Sequence, residues 1–470
     1  MNATSEYRIV VDQSTSATKV LLFDAVDGIQ LIKRLDKPHQ QIYPKEGFVE
    51  HNPLEIVQNT RQLIDDLLIL ENLLPSDILS ISITNQRESI VIWNKNTGNP
   101  YSNVMVWQCN RGLDFCNELT LEEKQMVREK TGLRVDPYFS APKLQWYFDN
   151  VEEKHFSELA IGTIDSWLIW NLTEGKYFVT EPSNACRTML YNIHTKQWDE
   201  ELCQLFNVPI EALPTVISSK GHFGNYRGIP IISVCADSQA ALYAQGMSTD
   251  IAAKMTLGTG SSVLVSLQEE NADVGSLIKT IVCEHENKMC YAAEGMIKSY
   301  GDILNWGMNQ LNLYHSYQEA SKLAFDEYED DQEVFFIPAL EGLTAPFWLP
   351  DVKASFHGLS RKTTQNALVR SLFEAMCFQS RAIIDEYRNN GIEFESIFAD
   401  GGSIKNEAFM QLLADITQIK IEIREFEELS ALGSLLIGIE SNYQLKTVKT
   451  FIPKRDYNQR YMKWVSIIRG

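Results

Sequence analysis

Long apolar runs are missing from this 470-residue chain. None approaches the ~18–20 residues that cross a bilayer, so no membrane insertion is expected. The opening stretch MNATSEYR lacks a basic region and an apolar core, so no secretion signal is read and a cytoplasmic location is expected. Positive charge is in deficit: 42 Lys and Arg face 62 Asp and Glu, a formal charge of −20. Nucleic acid and anionic membrane surfaces repel such a chain, so neither is expected as a partner. A nucleotide needs only a local positive patch and stays open. The eight cysteines (109, 116, 186, 203, 235, 283, 290 and 377) contain no CxxC pair, which predicts reduced thiols without disulfides or zinc. The eight histidines show no HExxH spacing. GxxxxGK[ST] is absent, and Gly258-Thr259-Gly260 lacks the third glycine of a dinucleotide fingerprint and runs into a strand pattern. A P-loop enzyme and a nicotinamide dehydrogenase are both disfavoured.

What is present is an ordinary globular composition, 44% hydrophobic and 22% charged. The length predicts two domains, with a break near Gly246–Asp250. Two segments, Arg8–Phe23 and Lys254–Leu267, each read as strand, tight turn and strand, the turns rich in Gly, Ser and Thr. Such turns offer backbone N–H groups and hydroxyls to an anion, with little side chain in the way. One hairpin per half suggests a duplicated fold that grips phosphate from both sides. Strand patterns also cover 78–84, 90–93, 104–108 and 334–337. Helical ones cover 53–70, 122–130, 142–150, 238–244, 297–311 and 364–389. Near the end, strand 396–400, helix 406–417 and strand 420–424 form a βαβ unit, so a parallel element is expected.

Several polar residues fit either chemistry or local structure. Asp12, before Gln13-Ser14-Thr15-Ser16, suits a Mg²⁺–phosphate complex, with the hydroxyls and Lys19 approaching the phosphates; equally it suits an Asx turn. Asp400-Gly401-Gly402, with Asn406 on the first helical turn, suits a nucleotide or a plain tight turn. Arg87 and Glu88 can donate to and accept from polyol hydroxyls, although local polarity favours a solvated hairpin turn. Trp107 and Tyr138 offer flat faces to a sugar, or simply join the core. Asp237 follows an apolar strand; it is placed to accept a proton, but a helix N-cap explains it as well.

Longer stretches lift the ambiguity. QIYPKEGFVEHNPLEI (41–56), ITNQRESIVIWNKNTGNP (83–100), VWQCNR (106–111), DPYFS (136–140), NACRTMLYNIHT (184–195) and the DGG turn resemble the FGGY carbohydrate kinases, most of all their glycerol-phosphorylating branch, over nearly the whole chain. Tyr138–Asn150 nearly fits one family signature, Tyr147 replacing an aliphatic residue. The resemblance implies an α/β fold of the two-domain, actin-like (ribonuclease H-like) ATPase type, with a nucleotide cleft between duplicated domains at 1–246 and 247–470. It implies ATP-dependent phosphorylation of a primary hydroxyl of glycerol or a related polyol or sugar, with ATP and Mg²⁺ as cofactors. By the same resemblance Asp12 organises Mg²⁺, and Thr15, Ser16 and Lys19 meet the phosphates. Gly258 and Thr259 form a second phosphate loop; Gly301, Asn305, Gly402 and Asn406 surround the nucleotide. Arg87, Glu88, Trp107, Tyr138, Asp237 and Ser238 match the acceptor site, with Asp237 as general base. A homodimer or homotetramer is expected, as is common in the family.

The chain also departs from that branch. Ser14 stands where a glycine is usual, Lys19 replaces an arginine and loses its planar fork, Ser238 replaces a glutamine, and Ser262 an aromatic. The last two imply a roomier pocket and an alternative acceptor of four or five carbons. A catalytically silent nucleotide sensor is the other alternative, against which the retention of Asp12 and Asp237 weighs.

Overall fold

The computed structural model describes residues 6–26, 28–151, 158–246, 252–285, 287–327, 333–439, 441 and 443–470. The expected break near 246–250 falls largely outside the described residues, as do residues 1–5 of the opening stretch. Two compact α/β units are present, and they do not follow chain order. Unit 1 comprises Met1–Ser248, Lys279–Ala292 and Glu428–Gln444; unit 2 comprises Thr249–Ile278, Ala293–Glu427 and Leu445–Gly470. Among the described residues no helix is long and apolar enough to cross a membrane.

Unit 1 is built on strands β1 (Tyr7–Gln13), β2 (Ala17–Asp24) and β3 (Gln30–Pro38), helix α1 (Pro53–Leu70), strand β4 (Ile78–Asn85) and helix α2 (Ser140–Asn150). Strands β5 (Asn225–Tyr226) and β6 (Ile229–Ala236) and helix α3 (Asp237–Ala244) also belong to it. The sheet order is β5-β6-β4-β1-β2-β3. β1 and β2 pair antiparallel, while β4 runs parallel to both β1 and β6. Ile9, Val11, Val20, Leu22, Ile81, Ile83 and Val234 bury one apolar face with α1, whose Asn52 cap accepts from the backbone N–H of Leu54 and Glu55. A smaller sheet joins Glu50–His51, Val104–Met105, Ile90–Asn94 and Leu159–Thr163.

The late helix Leu429–Gly438 belongs to unit 1 because it packs on α3 with almost no gap. A Cβ on Gly433 would lie 1.7 Å from the Ala240 carbonyl oxygen. Ser434 Oγ donates to the Ile83 carbonyl at 2.8 Å, and Ser233 Oγ to that of Ser434 at 2.8 Å. The excursion Lys279–Ala292 is tied down similarly: Lys279 N–H donates to the Gly132 carbonyl at 3.0 Å, and Tyr291 Oη to that of Ile193 at 3.1 Å.

Unit 2 holds β7 (Ala253–Leu257), β8 (Ser261–Leu267), α4 (Asp302–Asn309), α5 (Gln365–Asn389), β9 (Ser396–Asp400), α6 (Glu407–Thr417), β10 (Lys420–Arg424) and β11 (Thr447–Phe451). Five neighbouring strands of a seven-stranded sheet run β8-β7-β9-β10-β11. β7 and β8 pair antiparallel; β7–β9 and β9–β10 are parallel, and α6 supplies the crossover between the last two. Each unit therefore sets a hairpin beside a strand parallel to its first member.

Two expected elements shrink. The strand expected over 104–108 pairs only at Val104–Met105, because Val106 N–H turns to the Val49 carbonyl and Trp107 N–H to Ser89 Oγ at 3.2 Å. The helix expected over 297–311 starts only at Asp302. Its first residues are held elsewhere: Ile297 ends a strand, and the N–H groups of Tyr300 and Gly301 bond the carbonyls of Thr259 and Gly258 at 3.1 Å.

Candidate active site

Three parallel strand ends bring the unit 1 candidates together. In register Asp12 faces Thr84 and Ala236 faces Asn85, so Asp12, the Gln86–Glu88 turn and Asp237 all leave the carboxyl edge of one sheet. That edge is where open α/β sheets receive ligands.

The solvated-turn reading of Arg87 and Glu88 fails, since the residues are 8% and 1% exposed. Gln86 N–H donates to the Gln13 carbonyl at 2.8 Å, and Arg187 Nε donates to Glu88 Oε1 at 2.6 Å. Arg187, itself fully buried, supplies the countercharge that makes a buried Glu88 tolerable. Glu88 holds φ at 61°, a left-handed conformation that non-glycine residues adopt at a cost and that clusters at working sites. Arg87 Nε lies 3.7 Å from both Glu88 Oε1 and Asp237 Oδ1.

The N-cap reading of Asp237 also fails. Ala236 occupies the cap position, and Asp237 Oδ1 instead accepts from the Ser238 N–H at 2.6 Å. The Asp237 side chain is 32% exposed, so unlike Glu88 it remains reachable. Trp107 and Tyr138 are half-buried, their rings 5.3 Å apart. Trp107 Nε1 donates to Thr15 Oγ1 at 3.0 Å, and Arg87 Nη2 to Tyr138 Oη at 3.5 Å.

Around the first hairpin the charges interlock. Asp12, 4% exposed, lies within β1, and it is Ser14 that closes the turn, through its N–H and Oγ to the Ala17 carbonyl at 2.9 Å. Lys19 Nζ sits 3.1 Å from Asp12 Oδ2 and 3.0 Å from Glu428 Oε2, and Arg34 also pairs with Glu428. Burial raises the Asp12 pKa against the pull of Lys19. For Lys19, burial opposes the charge, but Asp12 and Glu428 outweigh it and the pKa is raised. Thr15 and Ser16 form the turn itself, braced by Gln41 Nε2 on the Thr15 carbonyl at 2.9 Å and His39 N–H on that of Ser16 at 3.3 Å.

Unit 2 assembles its candidates from backbone. Thr256 faces Asp400, so the turns after β7 and β9 leave the same sheet edge. A Cβ on Gly301 would lie 2.5 Å from the Gly258 carbonyl oxygen, and one on Gly401 2.5 Å from that of Leu257. Gly258, Thr259, Gly301 and Gly401 thus share one crowded patch of main chain, whereas Gly402 next to it is open, with nothing within 4 Å of a Cβ there. Asn305 lies on α4, its Oδ1 accepting from Tyr317 Oη. Asn406 caps α6, accepting from Phe409 N–H at 3.1 Å and donating through Nδ2 to Ser321 Oγ at 3.1 Å.

Two further residues escape sequence reasoning. Arg187 had a signal, for it lies in the stretch NACRTMLYNIHT. Glu428 had none, being separated from Lys19 by most of the chain.

Comparison with known proteins agrees with this geometry. Residues 7–243 match the model of the FGGY family of carbohydrate kinases, N-terminal domain, and residues 253–440 that of its C-terminal domain. The chain is 39% identical to glycerol kinase 1 of Thermotoga maritima, over 97% of this chain and 94% of that one. It is 36% identical to the glycerol kinase of Shewanella sediminis, over 95% and 94%. Among solved structures, Plasmodium falciparum glycerol kinase with ADP superposes with a TM-score of 0.89 at 31% identity, covering 99% of this chain and 98% of that one. A xylulose kinase from Lactobacillus acidophilus shares the fold, with a TM-score of 0.84 at 20% identity over 99% and 96%.

Proposed function

This chain belongs to the FGGY family of carbohydrate kinases, and we propose that it transfers the γ-phosphoryl group of ATP to a primary hydroxyl of glycerol or a related small polyol or sugar. One observation carries the reading: the reachable Asp237 carboxylate lies 3.7 Å from Arg87, beside buried Glu88 and the Trp107–Tyr138 pair. In this reading Arg87 donates to, and Glu88 accepts from, acceptor hydroxyls, while the aromatic faces and Ser238 bound the carbon chain. Asp237 takes the proton of the attacking hydroxyl. The oxygen of that hydroxyl bonds the γ-phosphorus as the bond to the β–γ bridging oxygen breaks, and ADP leaves.

Thr15, Ser16 and Lys19 are assigned to the phosphates, Gly258 and Thr259 to a second phosphate loop, and Gly301, Asn305, Gly402 and Asn406 to the nucleoside. The labour is thus divided between residues 1–246 and 247–470. Asp12 fits Mg²⁺: burial disfavours its charge even beside Lys19, and Mg²⁺ typically takes one or two carboxylates plus phosphate and water rather than an all-protein cage. No group of three His, Cys, Asp or Glu suited to a metal exists among the described residues, which is consistent with that mode. When bound, the ion supplies neutralisation of phosphate charge. A homodimer or homotetramer in the cytoplasm belongs to the same proposal.

Ser238 favours a second reading, in which the acceptor has four or five carbons, because a small side chain stands next to the proposed base. A coupled ADP-release assay with Mg·ATP over glycerol, dihydroxyacetone, erythritol, xylitol, ribitol, xylulose and ribulose separates the readings. Turnover with glycerol supports the first, and turnover confined to longer acceptors the second. Silence across the panel overturns both and leaves a nucleotide-binding sensor.

A further inference from the structure

The signature stretch Tyr138–Asn150 carries a charged residue that the acceptor chemistry does not use. Lys143 lies on α2 and is 0% exposed. Its Nζ donates to three successive carbonyl oxygens, those of Pro137 at 2.5 Å, Tyr138 at 2.8 Å and Phe139 at 2.9 Å. An ammonium has three N–H groups, and here each has its own acceptor. The location is costly twice over, since the charge is desolvated and sits at the positive end of its own helix. The segment it grips carries Tyr138, whose ring lies 5.3 Å from Trp107 and 5.2 Å from Phe139 and whose hydroxyl is 3.5 Å from Arg87.

We propose that Lys143 is a positioning residue of the acceptor site, a buried clamp on the Pro137–Phe139 backbone that fixes where the Tyr138 ring and hydroxyl stand. The inference rests on the reading of Tyr138 as an acceptor-site residue. The clamp has a protonation requirement: a neutral amine keeps two N–H groups and turns a lone pair toward the third carbonyl. Burial draws the Lys143 pKa down to about 8, while Cys109, Glu88, Asp136 and Cys116 around it act in the opposite direction. The clamp is therefore complete below about pH 8 and loosens above it.

The test combines kinetics with hydrogen exchange of the acceptor-free protein across residues 136–141. Lys143→Met is expected to raise the acceptor KM by about tenfold, the scale of one or two lost charged hydrogen bonds, with the ATP KM unchanged. The same substitution in a Tyr138→Phe background adds little, since both act through one side chain. In the parent protein the acceptor KM rises above pH 8, and the protection of the Tyr138 and Phe139 amides falls over the same range. That pH series needs no variant, so it decides the matter even if Lys143→Met does not fold. Protection that stays constant from pH 7 to 9.5, or a Lys143→Met enzyme with the parent acceptor KM, overturns the clamp. Loss of protection in a protein that phosphorylates no acceptor sinks the acceptor reading instead.

Discussion

The two hairpins share a topology and differ in what surrounds their turns. In unit 1, β1 and β2 stand beside parallel β4; in unit 2, β7 and β8 stand beside parallel β9. Around the first turn the polar groups are charged side chains, with Lys19 held by Asp12 and Glu428 and Arg34 behind. Around the second they are main chain: Gly260 and Gly301 approach other backbone so closely that any Cβ would press on a carbonyl oxygen. One strand–turn–strand frame can thus address an anion through point charges or through bare N–H groups. The first mode is sensitive to protonation and salt, and the second to steric bulk.

The largest expected effect tests the charged side. Asp237→Asn keeps the shape and removes the base, so kcat should fall by roughly 10²–10⁴-fold, the range typical of a positioned proton acceptor, with both KM values near the parent's. A variant with the parent kcat would remove Asp237 from that role. Next come two substitutions that should both weaken ATP, for opposite reasons. Lys19→Met deletes a cation whose raised pKa keeps it charged throughout pH 6–9, and Gly301→Ala forces a methyl to within 2.5 Å of the Gly258 carbonyl. Each should raise the ATP KM by about tenfold or somewhat more, a loss of some 1.4 kcal/mol or above. Salt then tells them apart. Raising ionic strength from about 0.05 to 0.5 M should shrink the gap between Lys19→Met and the parent, and leave the Gly301→Ala gap unchanged. Equal salt responses would erase the distinction between the hairpins.

Both hairpins were legible in the sequence because their signals are local: apolar alternation on either side of a turn of small residues. Helix α1 was legible to the residue, since Asn52 and Pro53 mark its start. The local reading of Arg87 and Glu88 as a solvated turn fails because the buried Glu88 charge is met by Arg187, far along the chain, and local polarity carries no trace of a distant countercharge. The N-cap alternative for Asp237 misses by one position, for Ala236 caps α3 while the carboxylate turns to Ser238 N–H and Arg87. The return of Glu428–Gln444 to unit 1 was equally hidden. The apolar helix Leu429–Gly438 would suit either core by pattern alone, and the missing Cβ of Gly433 against Ala240, with the Ser434 hydrogen bonds to Ile83 and Ser233, commits it.

The smallest expected effect bears on the acceptor rather than on either hairpin. Ser238 follows Asp237 directly, and its N–H holds the carboxylate at 2.6 Å, so a longer side chain can enter the acceptor space without disturbing that bond. Ser238→Gln replaces the hydroxyl with a methylene and a terminal amide. A hydrophobic or steric change of that size discriminates weakly, whereas an amide that pairs with a substrate hydroxyl discriminates more. The preference for glycerol over a five-carbon acceptor should therefore rise by about threefold to tenfold in kcat/KM, with the ATP KM and its salt dependence untouched. A preference that stays flat would mean that position 238 does not meet the acceptor, so the small side chain there would carry no information about acceptor length.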